Sequence, residues 1–137
     1  MDDKHLAILR QGVDSWNQWK KGKPQVKPDL QRSDLSQANL LEADFGDTNL
    51  FGADLSNADL AGAYLMNANL CNANLRCANL YHAYLNGANL ASADLEGADL
   101  CGADLTDVIG LTRYQLRSAL TDSETKLPAY LTLDPRD

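Results

Sequence analysis

The most regular feature of the sequence is a leucine at every fifth position through the middle of the chain. Sixteen such positions run from residue 30 to residue 105, and fifteen of them hold leucine, with Phe45 as the exception. Alanine stands two residues earlier at thirteen of the sixteen positions. The residue between them is Asp eight times, Asn six times and Tyr twice. The repeating unit is therefore Ala-(Asp/Asn)-Leu-x-x over residues 28–107.

A period of five fits neither an α-helix nor a continuous strand. Five residues advance an α-helix by roughly 500°, so the leucines would spread around its whole circumference. On a strand they would point alternately to opposite sides, because side chains alternate with period two. A very short strand followed by a corner solves the problem, since Ala and Leu then share the inner side and Asp or Asn points outward. Glycine, which tolerates the positive φ of a tight turn, stands at the second corner position five times: Gly52, Gly62, Gly87, Gly97 and Gly102.

Hydrophobic positions before the repeat predict a helix that covers one end of the coil. Residues 3–21 carry Leu6, Leu9, Val13 and Trp16 at spacings of three, four and three, which is typical of one face of an amphipathic helix. The end of a stacked coil exposes apolar core and unpaired backbone, so a helix of this kind is expected to act as a lid.

A second, shorter helix is predicted over residues 113–120. Thr112 and Gln115 have the spacing of a capping box, and Leu111 and Leu116 have that of a hydrophobic staple. The irregular tail that follows contains Leu127, Pro128, Leu131 and Pro135.

Tandem Ala-(Asp/Asn)-Leu-x-x units resemble the pentapeptide-repeat family, and the resemblance covers 80 of the 137 residues. It implies an all-β solenoid, a right-handed quadrilateral β-helix with four pentapeptides per coil. The four coils would be residues 28–47, 48–67, 68–87 and 88–107. With residues 1–27 as an N-terminal helical cap and 108–137 as a C-terminal helical cap and tail, we expect one structural domain. Both flanks resemble those of family members from photosynthetic bacteria.

Composition narrows the class of protein further. The net charge of −7 argues against nucleic acid or an anionic membrane as a direct partner. No apolar run approaches 18 residues, and the N-terminus lacks the profile of a secretory signal, so we expect a cytoplasmic protein without a membrane span.

The sequence contains no recognisable catalytic, cofactor or metal motif. Phosphate-binding loops and nucleophile elbows are absent, and His5 and His82 are the only histidines. The outward Asp residues of the repeat are explained by solubility and by hydrogen bonds to nearby backbone. Cys71, Cys77 and Cys101 do not have the spacing of a zinc site or of a disulfide framework, and whether one of them is reactive is left open. We therefore expect no enzyme and no cofactor.

The distribution of charge supports one functional hypothesis. Residues 28–107 hold twelve acidic residues against Arg32 and Arg76. Some pentapeptide-repeat proteins are DNA mimics that bind type II topoisomerases such as gyrase, so the resemblance implies this role as an alternative. Against it, the net charge by coil runs −4, −2, +1 and −5, and about 19 Å of coil matches only about six base pairs.

The third coil supports the other hypothesis, a rigid scaffold or interaction module for an unidentified protein partner. This coil has no acidic residue and collects unusual outward side chains. Such a neutral, aromatic belt is typical of a protein-contact patch, although drift at tolerant surface positions would produce it too. A homodimer is left open. The candidate contact residues are Arg76, Tyr81, His82 and Tyr84 of this coil, together with Tyr64 one coil earlier.

Overall fold

In the computed structural model, which describes residues 2–131, the repeat region is a coil whose turns are stacked 20 residues apart. Each outward residue forms a parallel bridge with the residue 20 positions later, from Asp29 with Asn49 to Tyr84 with Asp104. The pairing consists of isolated bridges, and no longer strand occurs within residues 2–131. Because 20 residues hold four pentapeptides, the bridged residues form four columns. We call them faces 1 to 4, beginning at residues 29, 34, 39 and 44.

The Leu and Ala side chains of the repeat form the core of this coil. Phe45 and the repeat leucines are at most 5% exposed, and most of them are fully buried. Backbone hydrogen bonds join each coil to the next, as between Leu50 N and Asn69 O at 2.8 Å and between Asn69 N and Thr48 O at 3.0 Å. The inward placement predicted from the five-residue period is confirmed at these positions.

Each pentapeptide turns a corner through a residue in the left-handed region of φ. The turn is closed by a backbone hydrogen bond, as from Ala43 N to Leu40 O at 3.0 Å. The five corner glycines have φ between 63° and 73°. The remaining corners place non-glycine residues at φ between 55° and 62°: Arg32, Gln37, Glu42, Asp47, Asn57, Asn67, Asn72, Cys77, His82, Ser92 and Asp107.

The N-terminal segment forms two helices, so the prediction of one helix over residues 3–21 is wrong. Helix α1 spans Asp3–Arg10 and α2 spans Val13–Gly22. Gly12, with φ of 117°, breaks the helix between them, because few other residues adopt this backbone conformation. The break lets both helices direct apolar side chains at the coil, where Leu6, Leu9 and Trp16 are buried.

Side chains of α2 bind the backbone edge of the first coil on face 4. In later coils, the backbone N–H and C=O groups at the same positions of face 4 pair with the preceding coil, as Tyr64 N does with Ala43 O. On Asp44, the carbonyl oxygen accepts a hydrogen bond from Trp16 Nε1, and the amide N–H donates to Asn17 Oδ1. Lys20 Nζ donates to Gly46 O. Helix α2 therefore supplies hydrogen-bond partners to backbone groups of the first coil, which has no preceding coil to pair with.

The same edge is covered on face 1 by the start of α1. Asp29 O accepts a hydrogen bond from Asp2 N at 3.1 Å, and Asp29 N donates to His5 Nδ1 at 2.9 Å.

At the other end, parallel pairing continues past residue 107, the predicted end of the coil. Ile109 pairs with Asn89, Leu120 with Asp99, and Lys126 with Asp104. On face 2 the place of a pentapeptide is taken by helix α3, Arg113–Ser118, two residues shorter than predicted.

The capping box predicted for α3 is confirmed. The side chain of Thr112 accepts a hydrogen bond from Gln115 N, and Gln115 Oε1 accepts one from Thr112 N. Gln115 Nε2 then donates to Leu90 O and Ala93 O on the fourth coil. Pro135 and the rest of residues 132–137 lie outside the described residues. Within residues 2–131, none of the helices is long and apolar enough to cross a membrane.

Candidate functional site

Two of the predicted contact residues, Tyr64 and Tyr84, form a stacked pair on face 4. Their ring centroids are 5.1 Å apart and the ring planes differ by 4°. The parallel bridge between the two residues imposes this arrangement, because it aligns their Cα–Cβ bonds on successive coils. Both rings remain about 40% exposed. The pair is therefore a rigid aromatic surface whose conformation is set by the backbone.

Tyr81 and His82 lie on the turn that leads into face 4. Their rings meet edge to face, with centroids 4.2 Å apart. His82 Nε2 lies 3.9 Å from Glu124 Oε2, and the His82 ring occupies the space that a side chain on Gly102 would need. These contacts restrict the movement of both rings.

Arg76 does not lie with the tyrosines. It follows Asn74 of face 2, whereas Tyr81 follows Asn79 of face 3, so face 3 separates Arg76 from the aromatic group. Its guanidinium binds Glu96 at 2.6 Å and Asp94 at 3.2 Å. Hydrogen bonds to these two carboxylates raise the pKa of Arg76. The predicted patch therefore divides in two, and the arginine belongs to an ion-pair group elsewhere.

Two apolar residues that the sequence analysis did not single out, Leu41 and Met66, join the tyrosines. Leu41 precedes face 4 in the first coil, in line with Tyr81 two coils later, and Met66 follows Tyr64 on the opposite edge. Writing the sequence in rows of 20 would have revealed this alignment. Within residues 28–107, the large hydrophobic side chains that are exposed are those of this one surface, which we call the tyrosine face: Leu41, Tyr64, Met66, Tyr81 and Tyr84.

Acidic residues lie at both ends of the tyrosine face but not in its middle. The first coil contributes Glu42, Asp44 and Asp47, and the fourth contributes Asp104 and Asp107. In coils two and three, the corresponding positions of face 4 and its turns hold no Asp or Glu.

Two lysines lie close to these acidic ends. Lys20 Nζ is 3.9 Å from Asp44 Oδ1. Burial alone would raise the pKa of Asp104, but hydrogen bonds from Thr106 and Asn86 and the nearby charge of Lys126 outweigh burial and lower it. Asp104 is thus held in its charged form.

The described residues do not assemble a metal or thiol site. No group of three or more His, Cys, Asp or Glu side chains that could hold a metal ion occurs in residues 2–131. The three cysteines are free thiols, and Cys77 is exposed. A hydrogen bond to Asp99, with smaller contributions from burial and from the charges of Asp99 and Asp122, raises the pKa of Cys101 to about 11. A thiol with this pKa is a poor nucleophile at neutral pH.

Comparison with known proteins identifies the repeat. The family model described as pentapeptide repeats matches in eight copies, over residues 29–65, 53–90 and 78–107. No curated protein matches the chain.

Solved structures of similar chains come from cyanobacteria, a plant and a resistance plasmid. A pentapeptide repeat protein from Nostoc PCC 7120 is 32% identical, with 88% of each chain covered and a TM-score of 0.41. One from the Arabidopsis thaliana thylakoid lumen is 33% identical over 64% of this chain and 71% of its own, with a TM-score of 0.45. QnrB1, a plasmid-mediated fluoroquinolone resistance protein, is 21% identical over 76% of this chain and 60% of its own, with a TM-score of 0.48.

Proposed function

Because this chain belongs to the pentapeptide-repeat family, we propose that it is a rigid, non-enzymatic scaffold that binds a protein partner through its tyrosine face. The observation that carries the proposal is the position of the exposed large hydrophobic side chains of residues 28–107, all on this one surface. Random drift would distribute such residues over all four faces. A contiguous apolar surface rimmed by polar residues is typical of a protein-interaction site.

Rigidity supports the same proposal. Tyr64 and Tyr84 are held by backbone pairing and by their stacking, so little side-chain entropy remains to be lost when a partner binds. In this proposal the coil is right-handed and four-sided, as the family resemblance implies, and the described parts of the two flanks, residues 2–27 and 108–131, cover its ends.

The proposal is tested by capturing partners from an extract of the source cell. We expect the triple variant Tyr64→Ser, Tyr81→Ser, Tyr84→Ser to lose proteins that the unaltered chain retains. Tyr114→Ser is the matched control, because Tyr114 is 82% exposed on α3, outside the tyrosine face. An identical set of captured proteins for the triple variant and the unaltered chain would refute the proposal.

The second candidate function is that of an acidic DNA mimic which binds a type II topoisomerase such as gyrase. The charges of coils one and four, −4 and −5, favour it, and the absence of acidic residues from coil three opposes it. A DNA mimic should inhibit gyrase supercoiling, and the inhibition should weaken as salt rises, because screening reduces the attraction between charges. A scaffold that uses the tyrosine face should leave supercoiling unchanged.

We propose a cytoplasmic location and no direct contact with nucleic acid or membrane. Whether the chain forms a homodimer can be measured by sedimentation equilibrium.

A further inference from the structure

We infer that the partner segment bound by the tyrosine face is an amphipathic helix, apolar in its middle and basic at both ends. The inference rests on the proposed function, since it specifies the chemistry of the partner for that same surface. Its support comes from the size of the face, the spacing of its tyrosines and the position of its charges.

The shape of the face fits one helix. Four coils are about 19 Å tall, and the three extended residues that each coil places on face 4 are about 10 Å wide. A single α-helix with its side chains is about 10–12 Å in diameter, the width of the face.

The spacing of the tyrosines fits the same occupant when the helix lies along the coil axis. The centroids of Tyr64 and Tyr84 are 5.1 Å apart in that direction. Apolar residues at positions i, i+4 and i+7 of a helix follow each other along its axis at about 5.2 Å on average. Such residues can therefore follow the exposed edges of the two rings at a matching spacing. Met66 and Leu41, at the sides of the pair, would contact the flanks of the apolar stripe.

The charges determine the polarity of the partner. On this face, the acidic residues of coils one and four lie about 14 Å apart along the axis, and coils two and three place no Asp, Glu, Lys or Arg between them. This distance equals about nine or ten residues of helix. Five carboxylates against Lys20 and Lys126 leave both ends net negative. A helix with Lys or Arg near each end and Leu-like residues between them is complementary to this pattern.

The fourth-coil end of the tyrosine face has a site for one such basic residue. His82, Tyr84, Asp104, Glu124 and Lys126 line an open cleft there. Tyr64 covers one side of the Tyr84 ring, so the other side faces this cleft. A guanidinium that enters would lie near an aromatic face and two carboxylates, which outnumber the single charge of Lys126 and leave the cleft net negative, a favourable setting for a cation.

The test uses two synthetic peptides of about 14 residues, long enough to span the face at 1.5 Å per residue. Both carry Leu at positions i, i+4 and i+7; one has Lys at both ends, and the other has Glu. Isothermal titration calorimetry with the full chain should show binding of the Lys peptide, with the Glu peptide at least ten times weaker. Circular dichroism of the complex should show a gain in helix.

Variants separate this binding from general attraction to an acidic protein. The double variant Tyr64→Ser, Tyr84→Ser has the same net charge as the unaltered chain. We expect it to bind the Lys peptide at least tenfold more weakly, whereas Tyr114→Ser should leave the affinity unchanged. The double variant Asp104→Asn, Asp107→Asn keeps the tyrosines, and we expect its affinity for the Lys peptide to fall about threefold or more. Circular dichroism and thermal melting verify the fold of each variant. Equal affinity for the double serine variant and the unaltered chain, or equal binding of both peptides, would overturn the inference.

The capture experiment tests the scaffold proposal, and the peptide experiment tests the helix inference. If the tyrosine variants lose partners from the cell extract but neither peptide binds the unaltered chain, the helix inference is wrong and the scaffold proposal stands. If the captured proteins do not change, the scaffold proposal itself fails.

Discussion

The indole ring of Trp16 packs against the ring of Phe45, with centroids 5.7 Å apart, and its Nε1 donates a hydrogen bond of 2.6 Å to Asp44 O. Both side chains are fully buried. Phe45 is the one residue of the sixteen-member core series that is not leucine, and it lies in the first coil, where the helical segment meets the repeat. The irregularity in the repeat is thus explained by its contact with α2.

Replacing Trp16 should show how strongly α2 holds the first coil. We expect Trp16→Ala to lower the free energy of unfolding by about 3–5 kcal/mol, because it leaves a cavity beside Phe45. Trp16→Phe keeps most of the packing but leaves Asp44 O without its donor, so the loss should be about 1–3 kcal/mol. Urea denaturation measures both. Equal losses for the two variants would contradict this division between packing and hydrogen bonding.

A leucine pair tests the inward direction of the repeat side chains. Leu75 is fully buried in the middle of the stack, whereas Leu41 is 47% exposed. We expect Leu75→Ala to cost about 2–5 kcal/mol, through lost burial and an unfilled cavity. The same substitution at Leu41 should stay within about 0.5 kcal/mol, as is usual at the surface. Thermal or urea unfolding measures both losses of stability. Equal losses for Leu75→Ala and Leu41→Ala would contradict the inward direction of Leu75.

Alanine substitutions at two glycines should separate the loss of stability caused by a positive φ from the loss caused by steric crowding. Gly52 and Gly110 have φ of 63° and 77°. A Cβ on Gly52 would meet only Arg32 Cγ, at 3.3 Å, but on Gly110 it would lie 2.7–3.0 Å from atoms of Ala91, two of them in the backbone. We expect Gly52→Ala to cost about 1–2 kcal/mol and Gly110→Ala about 2–5 kcal/mol, because overpacking adds to the strain. Chemical denaturation should preserve this order.

The reactivity of Cys101 should depend on Asp99. With a pKa of about 11, the Cys101 thiolate forms in quantity only at strongly alkaline pH, and at pH 8 about one thiol in a thousand is ionised. Asp99→Asn removes the negative charge but keeps an oxygen that can accept the backbone N–H of Cys101. We expect alkylation of Cys101 by iodoacetamide at pH 8 to become about 10- to 100-fold faster.

Mass spectrometry can follow Cys101 and the exposed Cys77 in the same sample. Alkylation of Cys77 should be unaffected by Asp99→Asn, which makes it an internal control. If Cys101 of the unaltered chain reacted as fast as Cys77 at pH 8, the raised pKa would be refuted.

Much of the core and of the turns could be predicted from local sequence, because each of these features repeats. A residue such as Leu75 is buried for the same reason as its fellows at five-residue intervals, and Gly52 adopts a positive φ because its place in the turn demands it. The capping box of Thr112 and Gln115 could be predicted because its donors and acceptors lie three residues apart. The break at Gly12 could not, since the amphipathic stripe of α1 continues into α2 and only docking on the coil requires the change of direction.

The candidate site was predictable only in part. The bridge between Tyr64 and Tyr84 follows from the 20-residue period that the resemblance implied. Leu41 and Met66 were missed because single apolar residues at turn positions carry no local signal. Arg76 was grouped with the tyrosines because it shares a coil with Tyr81 and Tyr84, but two residues of one coil can lie on different faces.

The sequence by itself determined what every pentapeptide does, namely which side chains point inward, which point outward and where the chain turns. These depend on backbone geometry over five residues and are the same wherever the unit occurs. Only the tertiary structure decided which outward residues become neighbours, how α2 completes the edge of the first coil, and how residues 109–126 continue the stack. Those relationships join residues about 20 or more positions apart. They arise from backbone pairing between coils and from side chains of α2 that bind the coil edge, neither of which local sequence preferences encode.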